Sequence, residues 1–250
     1  MFAAKSAKGF GIHSPFAYNF VSKVLNNKNK YKGIDKIEML RSNLLKSEEV
    51  IEVEDFGAGS MKMKNKIKKI NEITKYSVTT KKNGMLLYNL TQYFDFKNII
   101  ELGTSLGIGT SYISISKKDI NIFTIEGSEK VFEIANKNFQ LLDIKNIKTI
   151  NAKFEEVLIT ILEKIKTVDF VFVDGNHKKE STLKYFYDIL SYCKKESVIL
   201  FDDIRWNKDM LNTWNTIINH KQVTISFDLF FQGIVFVNDD FTKKHYKIRY

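Results

Sequence analysis

Several carboxylates of this chain stand directly after short apolar stretches, where side chains of neighbouring strands converge in a parallel sheet. The candidates are Glu101, Glu126, Asp174, Asp202 and Asp203. A carboxylate in such a position accepts hydrogen bonds from ligand hydroxyls, attracts a cationic ligand or, in a cluster, binds a divalent cation. The elements that carry these residues therefore decide what chemistry they perform.

The first carboxylate lies in the segment 98–114, which combines an apolar run with a glycine-rich stretch. The run 99–102 predicts a buried strand, Gly103, Gly107 and Gly109 predict a turn, and the apolar residues from Tyr112 predict a helix. Glycines let a ligand approach the backbone, and the helix start offers unpaired N–H groups. The spacing differs from the dinucleotide motif Gly-x-Gly-x-x-Gly.

The charge of Glu101 narrows the choice of ligand for this turn. Glu101 precedes the first glycine, where it would repel a phosphate and attract a ligand that carries an amine and a sulfonium. The segment therefore favours S-adenosylmethionine over NAD. Glu126 ends the next predicted strand, a little over 20 positions beyond the glycines, and is placed to accept hydrogen bonds from both ribose hydroxyls. The alternative is an ordinary turn with an exposed glutamate at a strand end.

The three aspartates predict a second feature of the same sheet edge. Asp174 follows the apolar stretch 168–173, and Asp202 and Asp203 follow 197–201. If these strands are neighbours, the carboxylates converge and repel one another unless a hard cation such as Mg²⁺, Ca²⁺ or Mn²⁺ compensates them. The alternative is that Asp202 caps the following helix and Asp203 pairs with Arg205 or a lysine.

Strand and helix patterns alternate through the second half of the chain. The predicted strands are 98–102, 121–125, 147–151, 168–173, 197–201, 223–230 and 233–237. The predicted helices between them are 107–117, 128–142, 154–165, 178–193 and 208–219. This order predicts an α/β fold of the Rossmann-like, doubly wound kind, with a seven-stranded, mostly parallel sheet and an antiparallel terminal strand at an edge. Cys193 falls at the end of a predicted helix.

The first 84 residues read as a mainly helical extension and a substrate or lid region, and residues 85–250 as the domain that binds the cofactor. Ser14 and Pro15 predict a helix start, and His13 beside them either faces a ligand or stabilises a turn. The segment 55–60 repeats an Asp-x-Gly-x-Gly pattern and reads as a turn or as a second loop over the pocket. The lysine cluster 62–69 predicts the solvated face of a helix whose apolar face includes Ile67.

Composition excludes several classes of protein. No apolar run of 18 residues is present, and residues 1–16 lack the apolar stretch of a signal peptide. The single cysteine, Cys193, excludes an internal disulfide and fits a reducing cytoplasm. The net charge of +10 invites a nucleic-acid partner, but only three of the 39 basic residues are arginines, and the lysines are spread along the chain. Nucleic acid is therefore disfavoured as a partner.

Four segments together resemble class I S-adenosylmethionine-dependent methyltransferases, in particular the metal-dependent O-methyltransferases of the catechol, caffeoyl-CoA and macrocin types. The segments are Glu101-Leu-Gly-Thr-Ser-Leu-Gly107, Ile125-Glu126, Phe170-Val-Phe-Val-Asp-Gly-Asn-His177 and Phe201-Asp-Asp203. The resemblance covers about residues 85–237. Residues 1–84 match none of the well-characterised members and are where substrate choice is expected.

The resemblance implies a role for each matching residue. The cofactor-binding residues would be Glu101, Gly103, Thr104, Ser105, Gly107 and Gly109 around the methionine end, Glu126 and Gly127 at the ribose, Asn151, Ala152 and Lys153 at the adenine, and Asp174. Asp174, Asp202 and Asp203 would also ligate the metal. The catechol enzymes have a lysine base three positions beyond the first metal aspartate, and this chain has His177 there. The macrocin-type enzymes have an acidic residue two positions beyond it, and this chain has Asn176.

These observations predict an enzyme that transfers the methyl group of S-adenosylmethionine to a hydroxyl of a small molecule with the help of a divalent metal. Asp174 and His177 would be the catalytic residues, with His177 as the base or as a helix-start histidine that makes one hydrogen bond. Two alternatives stay open: a metal-independent methyltransferase of RNA or protein, and a non-catalytic nucleotide-binding module. The acceptor is not readable from the sequence, and a homodimer is one open oligomeric state.

Overall fold

A computed structural model describes residues 5–6, 12–29, 31–54 and 66–250 of the chain. The turn predicted at 55–60, and most of the lysine-rich segment after it, lie outside the described residues. Within the described part, no helix is both long enough and apolar enough to cross a lipid bilayer.

The N-terminal part is built from short helices and one small sheet. Its elements are β1 (Lys5–Ser6), α1 (Pro15–Phe20), a π-helical turn (Val21–Leu25), α2 (Ile34–Leu44), β2 (Val50–Glu52), β3 (Ile67–Lys69), α3 (Ile70–Tyr76) and α4 (Lys81–Tyr93). The helix start predicted at Ser14 and Pro15 is confirmed, because the Ser14 hydroxyl accepts the N–H of Ala17 at 3.3 Å.

The prediction of a helix with Ile67 on its apolar face is wrong at 67–69. These residues form β3, which pairs antiparallel with β2 so that Ile51 lies opposite Lys68. The strand alternation reverses the predicted faces: Ile67 is 65% exposed, whereas Lys68 is only 7% exposed. Pairing with β2 is a contact distant in sequence, and it overrides the local helical period.

The rest of the chain alternates strands and helices as predicted. The strands are β4 (Asn98–Leu102), β5 (Asn121–Glu126), β6 (Ile147–Asn151), β7 (Val168–Val173), β8 (Cys193–Phe201), β9 (Ile225–Asp228), β10 (Gly233–Phe236) and β11 (Lys244–Arg249). The helices are α5 (Ile108–Ser116), α6 (Glu129–Leu141), α7 (Phe154–Ile165), α8 (Lys179–Leu190) and α9 (Lys208–Asn219).

The large sheet has the strand order β1-β11-β9-β10-β8-β7-β4-β5-β6. Of its paired strands, β10 alone is antiparallel to its neighbours β8 and β9. The strand order reverses at β4: β5 and β6 lie on one side of it and β7 and β8 on the other. A crevice forms at such a switch point, beyond the carboxyl ends of the parallel strands. Ligands bind at this place in doubly wound sheets, and Glu101, Glu126 and Asp174 belong to these strand ends.

Three details of the predicted sheet need correction. The antiparallel strand is not at an edge, because β11 adds to β9 in parallel and β1 adds to β11, which makes nine strands instead of seven. In β11 the buried Tyr246 and Ile248 alternate with exposed basic residues, which is the period of a strand, but β11 is not among the predicted strands. Cys193 begins β8 instead of ending a helix, since α8 stops at Leu190.

The core lies on both faces of the sheet. All six residues of β7 are buried, with Phe170 and Phe172 in one apolar cluster and Val171 and Val173 in the other. A central parallel strand covered by helices on both faces reads as such an unbroken apolar run. Helix α1 packs on the first cluster, where the rings of Phe20 and Phe227 stack at 4.4 Å.

Candidate active site

A cleft of about 370 Å³ lies beyond the carboxyl ends of β4, β5, β7 and β8. The predicted site residues that line it are Gly103, Ser105, Glu126, Gly127, Lys153, Asp174, His177, Asp202 and Asp203. The predicted residues Glu101, Thr104, Gly107, Gly109, Asn151 and Ala152 are not among the lining residues. The strand ends therefore bring most of the predicted site together, and the others lie behind or beside it.

The turn after β4 depends on two glycines in the left-handed region of backbone conformation. Gly103 has φ +106°, and a Cβ atom there would lie 2.0 Å from the carbonyl oxygen of Asp174. Gly107 has φ +81°, and a Cβ atom would lie 2.6 Å from the ring of Phe139. Larger residues would push the turn away from β7 and α6. The glycines thus let the turn pack closely between its neighbours at the cleft.

Glu126 is held at the end of β5 by backbone N–H groups. Its two carboxylate oxygens accept the N–H of Ser105 at 2.9 Å and the N–H of Ser128 at 3.0 Å. Burial raises the pKa of this carboxyl, and the N–H groups of Ser128 and Ser105 act against that rise. Each oxygen keeps a further lone pair for a ligand hydroxyl. The arrangement fits a ribose whose two hydroxyls both donate to one carboxylate.

Glu101 lies beneath the cleft instead of in its wall. The residue is 1% exposed, and its carboxylate accepts the hydroxyls of Thr110 and, at 2.5 Å, Thr124. Burial raises its pKa to about 7, although the two hydroxyls lower it. The contacts tie β4, β5 and α5 together under the glycine turn. A direct contact of Glu101 with the cofactor stays a prediction.

The residues predicted at the adenine lie at the end of β6. Lys153 lines the cleft and is followed by the lining residues Phe154 and Glu155. Asn151 instead donates its side-chain amide to the carbonyl of Glu126 at 2.8 Å, and the N–H of Ala152 donates to the same carbonyl at 3.2 Å. Asn151 and Ala152 therefore brace the end of β5.

Asp174, Asp202 and Asp203 form the opposite half of the cleft, at the ends of β7 and β8. Burial raises the pKa of Asp174 well above its ordinary value, and the charges of Asp202 and Asp203 raise it further. Burial and the charge of Asp203 raise the pKa of Asp202 to about 7. We refer to Asp174, Asp202 and Asp203 as the aspartate half, and to Glu101 and Glu126 with the glycine turn as the cofactor half.

His177 lies beside two carboxylates of the aspartate half. Its Nε2 atom lies 4.0 Å from Asp174 and 3.8 Å from Asp203, and its charge lowers the pKa of Asp203 against the effect of burial. The ring also lies 5.9 Å from that of Trp206, which lines the cleft. His177 is thus positioned at the cleft by two carboxylates and an indole.

The sequence predicts a divalent metal at the three aspartates. Across residues 12–29, 31–54 and 66–250, no group of three or more His, Cys, Asp or Glu side chains has the arrangement that holds a metal ion. A metal site at Asp174, Asp202 and Asp203 therefore stays a prediction.

The N-terminal segment supplies cleft residues that the motifs did not indicate. They are Val53, Glu54, Lys68, Ile73, Tyr76, Ser77, Val78, Thr79, Thr80 and Asn83. One signal was present, because Thr80 caps α4 by accepting the N–H of Asn83 at 3.3 Å, and a cap marks where a loop meets a helix. His13, in contrast, is exposed and is not a lining residue.

The strand order, the glycine turn and the carboxylate at the end of β5 agree with the resemblance to class I S-adenosylmethionine-dependent methyltransferases that the motifs indicate. Residues 100–204 match the family described as a methyltransferase domain. The match contains the glycine turn, Glu126, Asp174 and both aspartates after β8. The resemblance drawn from the sequence motifs is confirmed.

A relative of known sequence matches part of the chain. The uncharacterised protein R132 of Acanthamoeba polyphaga mimivirus is 25% identical over 146 residues, which cover 53% of this chain and 65% of that relative. The match thus spans less than two thirds of the curated relative.

Solved structures share the fold at low identity. The S-adenosylhomocysteine-bound methyltransferase PaMTH1 of Podospora anserina has a TM-score of 0.63 at 14% identity, over 91% of this chain and 97% of that one. The O-methyltransferase TomG of Streptomyces achromogenes, in complex with S-adenosylmethionine, has a TM-score of 0.59 at 14% identity, over 84% and 91%. An O-methyltransferase of Bacillus cereus in complex with S-adenosylhomocysteine has a TM-score of 0.53 at 18% identity, over 87% and 96%.

Proposed function

We propose that this protein is an enzyme that transfers the methyl group of S-adenosylmethionine to a hydroxyl oxygen of a small molecule. The observation that carries the proposal is the Glu126 carboxylate, whose two oxygens are held by the N–H groups of Ser105 and Ser128 at the cleft. A carboxylate so oriented at the end of β5 is ready to accept two ribose hydroxyls without rearrangement.

The charge of the cleft supports the same cofactor. Six carboxylates line it, although the whole chain has a net charge of +10; they are Glu54, Glu126, Glu155, Asp174, Asp202 and Asp203. A pyrophosphate would be repelled by this lining, whereas the sulfonium and ammonium groups of S-adenosylmethionine are attracted. The NAD alternative is disfavoured for this reason.

The roles of the protein groups follow from their places in the cleft. S-adenosylmethionine, when bound, supplies an electrophilic methyl group on its sulfonium. Glu126 would hold the ribose, and the turn at Gly103–Gly107 would follow the methionine part. His177 would accept the proton of the acceptor hydroxyl, since an imidazole exchanges protons near neutral pH. Asp174 and Asp203 would orient that ring and favour its protonated form.

The acceptor would bind in the part of the cleft near His177. Trp206 lines the cleft beside His177 and would contact the acceptor, whereas Phe231 is 62% exposed and does not line it. The proposal keeps residues 1–84 as the segment that selects the acceptor, which fits the many cleft residues between Val53 and Asn83. A cytoplasmic location is proposed from the single cysteine.

Titration calorimetry with S-adenosylmethionine and S-adenosylhomocysteine, each with and without Mg²⁺, tests the cofactor. We expect both to bind in EDTA. Transfer of a radiolabelled methyl group to a panel of phenols, sugars and amines then tests the reaction. We expect Asp174→Ala to abolish transfer while S-adenosylhomocysteine binding stays within about threefold of the parent, because Asp174 lies at the acceptor end. Asp240→Ala, at an exposed position, is the matched control.

Measuring methyl transfer in EDTA tests whether the reaction needs a metal. Because the described side chains do not form a donor set, we expect transfer to persist in EDTA. Loss of transfer in EDTA, with recovery on adding Mg²⁺, would instead establish the three-aspartate metal site. Absence of any cofactor binding would leave the non-catalytic module as the better description.

A further inference from the structure

Lys68 is a buried lysine in the wall of the cleft. Its neighbours Ile67 and Lys69 point to solvent, whereas Lys68 is only 7% exposed and is a lining residue. Lys69 pairs with Glu48 at 2.5 Å, and Lys194 pairs with the buried Asp169. Among the residues that the structure describes, Lys68 has no ion pair and no hydrogen bond from its ammonium group.

Within the described part of the chain, the Lys68 ammonium has no counter-ion, so a negative group of a ligand could serve as one. A lysine is rarely buried unless it is paired, because removing the charge from water is costly. The strand alternation of β3 holds Lys68 toward the interior, and the cleft is the space that it faces. The side chain of Lys68 is largely buried in the wall of the cleft, and a ligand that brings a negative group into the cleft would supply a counter-ion for its ammonium.

The position of Lys68 shows which part of a ligand it meets. Lys68 lies directly opposite Ile51 in the β2–β3 pair, so the two side chains share a face. Ile51 packs in one cluster with Leu106 of the glycine turn and Val131 of α6. Lys68 thus faces the cofactor half of the cleft.

A hydrogen bond anchors the same small sheet to that half. Glu54, two residues beyond β2, donates its N–H to the hydroxyl of Ser128 at 3.3 Å, and Ser128 donates its own N–H to Glu126. The β2–β3 pair is therefore joined to the residue that would hold the ribose. The ends of β7 and β8, where the aspartate half lies, belong to the other side of β4.

We propose that Lys68 binds the α-carboxylate of the amino-acid part of S-adenosylmethionine. The proposal rests on the proposed function, because the carboxylate is the single anionic group of that cofactor. The other charged residues of the cleft wall support this assignment. Of the two lysines there, Lys153 already lies 3.9 Å from Glu156, and the other charged side chains are mostly acids, which would repel a carboxylate. The start of α5 behind the turn adds a favourable dipole for the same carboxylate.

The bond would connect two parts of the chain through the ligand. Lys68 belongs to the N-terminal segment, whereas Ser105 and Glu126 belong to the sheet domain. Cofactor binding would therefore hold the β2–β3 pair against the glycine turn. The sequence motifs did not indicate this residue, because the lysine cluster 62–69 reads as a solvated surface.

Two ligands that share the nucleoside but differ in the amino-acid group test this role of Lys68. A loss of affinity for only one of them distinguishes a contact with the carboxylate from a general effect on the site. S-adenosylhomocysteine carries the α-carboxylate, and 5′-methylthioadenosine lacks the whole amino-acid group. Calorimetry on Lys68→Met should show binding of S-adenosylhomocysteine weakened by about 20-fold, as expected for a charge-assisted hydrogen bond, and binding of methylthioadenosine changed by less than about twofold. Lys68→Arg should retain most of the affinity.

Lys66→Met is the matched control, because Lys66 is exposed one residue before β3. It should leave both affinities unchanged. Equal affinity of the parent and Lys68→Met for S-adenosylhomocysteine would overturn the proposal. Equal weakening of both ligands would also overturn it, since the lysine would then act through the fold. A parent protein that binds neither ligand would instead refute the proposed function. If Lys68→Met does not fold, the affinities of Lys68→Arg and Lys68→Gln for S-adenosylhomocysteine are compared instead. The proposal expects Lys68→Gln to bind more weakly than Lys68→Arg, and equal affinities would overturn it.

Discussion

Glu126 and Asp174 end strands on either side of β4, yet the protein surrounds their carboxylates differently. Glu126 accepts two backbone N–H groups, and Glu101 beneath it accepts two threonine hydroxyls. Asp174 has instead two like-charged neighbours and an imidazole at 4.0 Å, and no hydrogen bond to its carboxylate occurs among the described residues.

This difference separates two tasks within one cleft. A carboxylate whose donors belong to the protein keeps its orientation in the absence of a ligand, so the cofactor half is preorganised for binding. A carboxylate among like charges is held at an energetic cost, and its partner must arrive with the substrate or act in the reaction. We expect substitutions in the two halves to have opposite effects on stability and different effects on binding.

The largest expected effect concerns Glu101 and pH. Its folded-state pKa of about 7, against an ordinary value of 4.5, means that the folded protein holds the proton more tightly than the unfolded chain does. The contribution of Glu101 to stability is therefore complete below about pH 4.5 and is lost as the pH rises through 7, a fall on the order of 3 kcal/mol. Urea unfolding of the ligand-free protein from pH 5 to 8 should show a fall in stability to which Asp202, whose pKa is also about 7, contributes as well. In Glu101→Gln this fall should be smaller by on the order of 3 kcal/mol.

The exposed residue Glu163 provides the control for this experiment. Glu163→Gln should follow the pH dependence of the parent. Parallel curves for Glu101→Gln and the parent would show that the threonine hydroxyls compensate the burial of Glu101 completely.

The second effect is on cofactor affinity. Glu126→Gln replaces one acceptor oxygen with an amino group, which then faces a backbone N–H of Ser105 or Ser128 and cannot accept it. We expect the dissociation constant for S-adenosylhomocysteine to rise about 30-fold, or about 2 kcal/mol, in calorimetry. Glu129→Gln, three residues further on the exposed side of α6, should bind as the parent does. Unchanged affinity of Glu126→Gln would remove the basis of the ribose assignment.

The smallest effect has the opposite sign. Asp174→Asn removes a partly buried charge that Asp202 and Asp203 repel, so the ligand-free protein should become more stable by about 1 kcal/mol in urea unfolding at pH 8. Asp188→Asn is the control, because Asp188 pairs with Lys184 at 2.6 Å and gains nothing from losing its charge. If Asp174→Asn destabilises the protein, the repulsion between the three aspartates is already compensated by their surroundings. The two halves of the cleft would then not differ in the way described.

The motifs of the chain predicted the cofactor half well because its signals are local. Gly103 and Gly107 lie within one turn and adopt backbone conformations that favour glycine, and Glu126 ends a strand in which Ile122, Phe123 and Ile125 are apolar. The order of strands and helices from β4 to α9 followed from the same local periods. Lys68 and the residues from Tyr76 to Thr80 could not be found in this way, since they reach the cleft from another part of the chain.

The order and type of the elements, the glycine turn and the acids at the strand ends are thus written in the sequence, because short-range periodicity and backbone preference depend on neighbouring residues. Long-range packing determined the remainder: β10 lies inside the sheet, β11 extends it, and the β2–β3 pair turns Lys68 inward. Pairing between distant segments also decided that Glu101 lies under the cleft with two threonines, and that His177 stands between Asp174 and Asp203. Such contacts depend on which strands become neighbours, and no local pattern of residue types encodes them.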